Sequence, residues 1–291
     1  MKKRRIALAL LSVMLAGILG GCGGNDKKDG KTDSKEVVVS TEENNTLPED
    51  GGTLTIATNP GVHADILNKA SEKLAQEGVN LEIYTYDDYY MPNLLVDDGD
   101  ADANYFQHSV YLDDFNRSLD TNLVSVGSVH FEPLGIYPGQ KKSISSLSEG
   151  DVIVIPEDNT NKTRALKLLQ NVGIISVTSG KDDLTLSDIT ENPYGVKIVP
   201  EEASMIPTLI QDAAFIVLNG NYARDALLSV TKDALAYENA QSSDCDPYWN
   251  VVAVNAGNEN DPRIQKLMEV LQSDEIKDFI NSSYDGTAIA K

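Results

Sequence analysis

The stretch TLTIATNPGVHADILNKASEKLAQEGVNLEIYT, residues 53–85, decides how the chain folds. Thr53–Thr58 alternates apolar and polar residues with period two, the pattern of a strand. Asn59-Pro60-Gly61 breaks it. Ile66, Leu67, Ala70 and Leu74 then recur at helical spacing within Ala64–Gln76, and Gly78 ends that helix. Leu81–Tyr84 is a second strand. Two strands joined by a helix with short connections form a parallel pair with the helix on one face. Reading onward, Met91–Val96 predicts a helix, Ala101–Phe106 a strand, Ser109–Arg117 a helix and Leu123–Val129 a strand.

Glu132-Pro133-Leu134-Gly135 reads as a junction, and a second run of the same kind follows. Val152–Ile155 is continuously apolar, as a strand buried on both faces should be, and Pro156 ends it. Thr163–Leu169 has helical spacing. Val196–Val199 predicts a strand, Ile206–Ile210 a helix, Ala213–Leu218 a strand and Tyr222–Leu228 a helix. Trp249–Val254 reads as a strand, with Ile264–Leu271 and Ile276–Ile280 as closing helices. The expected fold is α/β with two lobes, each a helix-covered, mostly parallel sheet. Residues 53–133 plus 248–291 would form one lobe and 134–247 the other. A cleft between lobes is a favoured small-molecule site, and hinged closure is a common use of such a pair.

Upstream of the body, Lys2, Lys3, Arg4 and Arg5 precede an apolar run, Ile6–Ile18, and then Leu19-Gly20-Gly21-Cys22. A basic start, a short apolar centre and small residues before the cut describe a secretory signal over residues 1–21. The apolar run is too short to span about 30 Å of hydrocarbon. Leu-Gly-Gly-Cys is the lipobox pattern, so Cys22 is expected to carry acyl chains such as palmitate. Residues 22–52 are then the lipidated cysteine and a polar leash with too little apolar surface to fold. The expected location is the cell membrane, lipid-anchored and facing outside the cytoplasm.

The formal charge is −21, and loss of the four basic signal residues takes it to −25. Such acidity opposes nucleic-acid binding, which rests on displacing counterions with basic patches. It also opposes adhesion to anionic lipid by charge, leaving attachment to the acyl chains. With Cys22 acylated, Cys245 is alone, so no internal disulfide is expected.

Enzyme motifs are absent. There is no Gly-x-Ser-x-Gly elbow, phosphate-binding glycine loop, His-Glu-x-x-His or Cys-x-x-Cys. Asp97–Asp102 lacks the spaced glutamate that would close a calcium loop. His63, His108 and His130 each fall near the end of a first-lobe strand, where α/β sheets place ligands. Together with a carboxylate they offer a zinc alternative, but no two share a close-spaced motif. Tyr84, Tyr86, Tyr89 and Tyr90 follow one strand, and Tyr105, Phe106, His108 and Tyr111 follow the next. In the second lobe, Asn159–Arg164 and Asn219–Tyr222 each follow a strand and open a helix. Arg164 stands out, because a guanidinium makes paired hydrogen bonds to a carboxylate and a helix start favours an anion.

These segments together resemble the methionine-binding lipoproteins of bacterial methionine ABC transporters, the NlpA/MetQ lipoprotein family. The likeness lies in Ile56–Leu67, Asp87–Asn93, Gly99–Phe115 with its Gln107-His108 pair, Val126–Gly135, Ile155–Leu166, Ala213–Tyr222 and Asp261–Phe279. It implies a two-lobed type II periplasmic-binding-protein fold and delivery of ligand to a permease and its ATPase. It implies that Arg164 holds an amino-acid carboxylate, supported by Asn161 and Asn219. Tyr86, Tyr89, Phe106 and His108 would line the side-chain pocket, with Glu132 and His63 as further members. The family usually has phenylalanine where this chain has Tyr105, which either faces the core or adds a hydroxyl to the pocket. The ligand implied is L-methionine or a related amino acid, with a methionine-containing dipeptide or zinc as alternatives. No enzyme activity, cofactor or resident metal is expected, and the protein is expected to be a monomer.

Overall fold

A computed structural model describes residues 52–291. The signal, lipobox and leash readings fall outside the described residues. The first sheet is built from β1 (Thr53–Thr58), β2 (Asn80–Thr85), β3 (Ala103–His108) and β4 (Leu123–Phe131), interleaved with α1 (Val62–Gln76), α2 (Met91–Asp97) and α3 (Ser109–Leu119). The second sheet takes β5 (Gly135–Pro138), β6 (Val152–Pro156), α4 (Asn159–Asn171) and, past a small β7 (Ser176–Val177) and β8 (Ile189–Glu191) hairpin, β9 (Lys197–Glu201). It continues through β10 (Phe215–Leu218), α5 (Gly220–Asp225) and β11 (Ala236–Tyr237). The chain then returns to the first sheet with β12 (Trp249–Asn255), α6 (Pro262–Leu271), α7 (Asp274–Ser283) and β13 (Ile289–Ala290).

Strand order is β13-β4-β12-β3-β1-β2 in the first sheet and β11-β5-β10-β6-β9 in the second. β1 pairs in parallel with β2 and β3, while β12 enters antiparallel between β3 and β4. β6 pairs in parallel with β9 and β10, and β5 lies antiparallel to β10. Most strands in each sheet therefore point one way, with β12 and β13 reversed in the first and β5 reversed in the second.

Burial explains the periodicities. β3 is buried at every residue, because β1 and β12 flank it and helices cover both faces. Ile66, Leu67, Ala70 and Leu74 of α1 pack on Leu54, Ile56 and Tyr105, and α6 adds Ile264, Leu267 and Leu271. The second core sets Ala165, Leu166 and Leu169 of α4 against Ile153, Ile155, Phe215 and Val217. Each such large apolar side chain contributes about 1.5–3 kcal/mol on burial.

Three local expectations are corrected. The strand predicted from Ala101 begins at Ala103, because the Asp102 carboxylate bonds the Thr55 amide and hydroxyl, both at 2.8 Å, and turns the chain there. The helix predicted at Ile206–Ile210 is a 3₁₀ turn over Ile206–Leu209 with Pro207 in its first turn. The helix predicted at Tyr222–Leu228 is α5, which ends at Asp225 because Leu227 takes a left-handed φ of 59°. Gly61, at the N-cap of α1, takes a left-handed φ of 69°, which glycine adopts without strain.

Candidate functional site

The site is assembled from the C-terminal ends of strands in both sheets. At the end of β3, His108 caps α3, its Nδ1 accepting the Tyr111 amide at 3.0 Å. An accepting Nδ1 places the ring proton on Nε2, which meets Asn161 Oδ1 at 3.2 Å across the two sheets. At the start of α4, Asp158 accepts the Asn161 amide at 2.8 Å and holds Asn161 Nδ2 as well. That anchoring turns Asn161 Oδ1 inward. There it accepts from Arg164 Nη1 at 3.0 Å and Asn219 Nδ2 at 2.9 Å.

These groups border a narrow, partly open cavity. Tyr89, Phe106 and Tyr111 form its aromatic wall, with ring centroids 5.8–6.1 Å apart. Glu132, His108, Asn161, Arg164, Asn219, Asn250 and Gln107 form its polar wall. Further contacts close the space across the sheets, among them Tyr89 Oη to Asn221 Oδ1 and Tyr222 Oη to the Asp87 carbonyl, each 2.7 Å. The arrangement suits a small molecule with an apolar, polarisable arm and a charged head. It presents no nucleophile paired with a base.

Arg164 is buried, but its fork is not free. Nε donates to Glu238 Oε1 at 3.0 Å, and Nη2 reaches both Glu238 Oε2 and the Glu132 carbonyl. Tyr248 stacks 4.5 Å from the guanidinium, with Phe131 at 5.9 Å. Glu238 is held in turn by the Leu134 amide at 2.9 Å. The paired bonding expected toward a ligand carboxylate is made internally, and the Nη1 edge is left for the cavity.

Three residues of the sequence reading do not reach the cavity. Tyr105 precedes Phe106 on β3, and neighbours on a strand point to opposite faces, so Phe106 on the cavity turns Tyr105 into the core. Its hydroxyl meets His130 Nδ1. His63 lies one layer below the cavity, with Nε2 3.1 Å from Asn250 Oδ1 and 3.6 Å from Glu132 Oε1. Tyr86 packs instead against the buried cluster that holds Ala57, Val96, Leu112 and Phe115. The three histidines are likewise no single metal set. His108 bonds Asn161, whereas His63, His130 and Glu132 cluster with ligand atoms within 4.8 Å of one another. Asn250, Gln107, Glu238 and Tyr248 were not singled out from sequence. Tyr111 was, as one of the aromatics after the third strand.

All three histidines are held neutral. Burial pulls His63 down to about 4, with Glu132 opposing and His130 adding to the fall. Burial, aided by Arg164, pulls His108 to about 3, and burial alone pulls His130 to about 3. Burial pushes Glu132 up, against His63, the Asn221 amide and Arg164. The folded histidine values lie below the ordinary 6.5, so the unfolded chain binds protons first as pH falls. Their stabilisation is complete above about pH 6.5 and is lost toward about pH 3–4, at about 1.4 kcal/mol per pH unit per histidine. Glu132, raised from its ordinary value of 4.5, acts in the opposite sense and offsets part of that fall from about pH 4.5 upward. The melting temperature is expected to hold near neutral pH and fall below about pH 6.5; calorimetry across pH showing no fall would contradict burial of neutral imidazoles.

Comparison with known proteins follows the same boundaries. The NlpA lipoprotein family profile matches residues 54–291. The methionine-binding lipoprotein MetQ of Bacillus subtilis is 35% identical over 293 residues, covering 98% of each chain. A solved structure from Ruminococcus gnavus has a TM-score of 0.81 at 48% identity, covering 82% of this chain and 99% of that one. A nutrient binding protein from Burkholderia cenocepacia bound to methionine has a TM-score of 0.77 at 35% identity, covering 82% of this chain and 99% of that one. With the profile spanning nearly all described residues and a relative alike along its whole length, the chain belongs to the NlpA lipoprotein family.

Proposed function

We propose that this protein is an extracytoplasmic, lipid-anchored substrate-binding protein of an ABC importer that captures L-methionine. The observation that carries the reading is the cavity with an aromatic wall at one side and Arg164, Glu132 and three asparagines at the other. A thioether gains from aromatic edges, and a zwitterionic head needs both donors and acceptors. The methionine-bound relative and the MetQ relative support the choice of ligand. Acyl chains on Cys22 hold the protein to the membrane, as the Leu19-Gly20-Gly21-Cys22 pattern suggests. Residues 53–133 with 248–291, and residues 134–247, act as lobes that open to admit ligand and close to present a surface to the permease and ATPase. The chain does no chemistry on what it carries.

The test is a thermal-shift panel on the chain expressed from Gly23 onward, unfolded and refolded to strip carried ligand. L-methionine at about a hundred times its Kd is expected to add about 2.7 kcal/mol of stability. A shift only with another amino acid or a dipeptide would reassign the ligand. A shift with zinc alone would overturn the reading and direct attention to His63, His130 and Glu132.

A further inference from the structure

Beneath the cavity, two histidines meet a carboxylate in a set that no short motif announces. His130 ends β4 with Glu132 two residues on, so along extended chain their side chains share one face. His63 stands in the first turn of α1, and its ring lies edge-on to His130 with centroids 5.0 Å apart. All three side chains are buried.

The spacing suits a metal ion. Glu132 Oε1 is 2.9 Å from His130 Nε2 and 3.6 Å from His63 Nε2, and one donor atom of each residue lies within 4.8 Å of the others. Tetrahedral zinc, with bonds of about 2.0–2.2 Å to nitrogen and oxygen, sets its ligand atoms about 3.3–3.5 Å apart. The two measured distances bracket that spacing. Two imidazoles with one carboxylate favour zinc and its neighbours over magnesium or calcium, which take oxygen ligands. Among the described residues the Glu132 carboxylate pairs with no lysine or arginine, only with these rings, so a divalent ion supplies positive charge that the buried carboxylate lacks.

The protons can be followed. Tyr105 Oη donates to His130 Nδ1, which leaves His130 Nε2–H to donate to Glu132. His63 Nε2 meets Asn250 Oδ1, and its Nδ1 has no partner among the described residues. When each Nε2 takes the ion, the ring proton moves to Nδ1 and stays on the ring. At His130 the bond to Tyr105 reverses, Nδ1–H donating to the hydroxyl oxygen, the kind of partner that orients a ligating imidazole. At His63 the bond to Asn250 is given up. Glu132 and Asn250 also line the cavity, so the ion enters from there.

We infer that His63, His130 and Glu132 form a binding site for a divalent transition metal ion of the zinc class, with Tyr105 as a positioning residue for His130. The site gives the protein a second ligand and does not depend on which amino acid the cavity takes.

The experiment titrates cobalt(II) into the refolded, tag-free chain from Gly23 onward, followed by absorption and calorimetry, and then displaces it with zinc. A single ion per chain is expected, with the intense visible bands of four-coordinate cobalt and no thiolate charge-transfer band. His63→Gln and His130→Gln should each abolish those bands. Tyr105→Phe should keep them and raise the Kd for both ions about 10–100-fold, the usual cost of losing an orienting partner. Bands unchanged in both histidine variants would place the ion on surface carboxylates, and a thiolate band would place it on the buried Cys245; either overturns the inference. If the histidine variants fail to fold, the native spectrum and Tyr105→Phe still decide, and a Tyr105→Phe chain that binds cobalt like the native one overturns the role given to Tyr105. Methionine binding by a chain that shows no four-coordinate cobalt would overturn the inference alone. Cobalt binding by a chain that takes no methionine would overturn the proposed function alone.

Discussion

Arg164→Ala should abolish methionine binding and destabilise the protein even without ligand. The guanidinium joins three parts of the polar wall. It bonds Glu238, the Glu132 carbonyl and Asn161 Oδ1, and it lies under the Tyr248 ring. Alanine would leave the largely buried Glu238 carboxylate without its cation and Asn161 Oδ1 without one of its donors. Breaking a buried pair in this way costs about 3–5 kcal/mol. The cavity edge then loses both a donor and the group that fixes its neighbours, so loss of binding follows from position as well as from charge. Urea unfolding should show the fall in stability, and calorimetry should show no methionine heat. Lysine would not restore either, since its compact ammonium cannot reproduce the planar fork that bonds both Glu238 oxygens at once. Native stability and unchanged affinity in the alanine variant would contradict this account of Arg164.

The second large effect is expected where nothing polar is removed. A β-carbon on Gly220 would sit 2.5 Å from the Thr287 carbonyl oxygen and 2.9 Å from Glu132 Cβ. The carbonyl is backbone and cannot swing away. In Gly220→Ala the start of α5 must therefore shift, taking with it the Asn221 amide that bonds Glu132 and the Asn219 side chain that bonds Asn161. Overpacking of this kind costs about 1–3 kcal/mol. Methionine affinity should fall by more than about tenfold, because two wall residues move together. Parallel melting and binding measurements would show both losses. A variant that melts and binds like the native chain would mean that this approach is looser than drawn.

How much of this was legible depends on how local the cause is. The strands and helices of residues 53–131 follow from period and punctuation, and they form close to where the spacing puts them. β5, β11 and β13 were not legible. They are two to four residues long and exist because a neighbouring strand lies beside them. The cavity wall was largely readable, since Phe106, His108, Asn161, Arg164 and Asn219 sit at strand ends, where α/β sheets gather ligand groups. Strict alternation along β3 already separated Tyr105 from Phe106, and its use would have closed the alternative left open for Tyr105. Glu238 gave no local signal. It stands 74 residues from Arg164 in sequence, and only the pairing of β11 with β5 brings the segment that carries it into reach. The same holds for Asn250, which arrives on the returning strand.

The central claim is that methionine occupies the cavity between the sheets with its thioether on the aromatic wall and its charged head on the polar one. The most direct measurement is a crystal structure of the refolded chain saturated with L-methionine. The account predicts one molecule in the cavity, its sulfur against Tyr89, Phe106 and Tyr111 and its charged head on the polar wall of Arg164, Asn161, Asn219 and Glu132. An empty cavity, or methionine bound elsewhere or turned with its ammonium toward the aromatic wall, would contradict it.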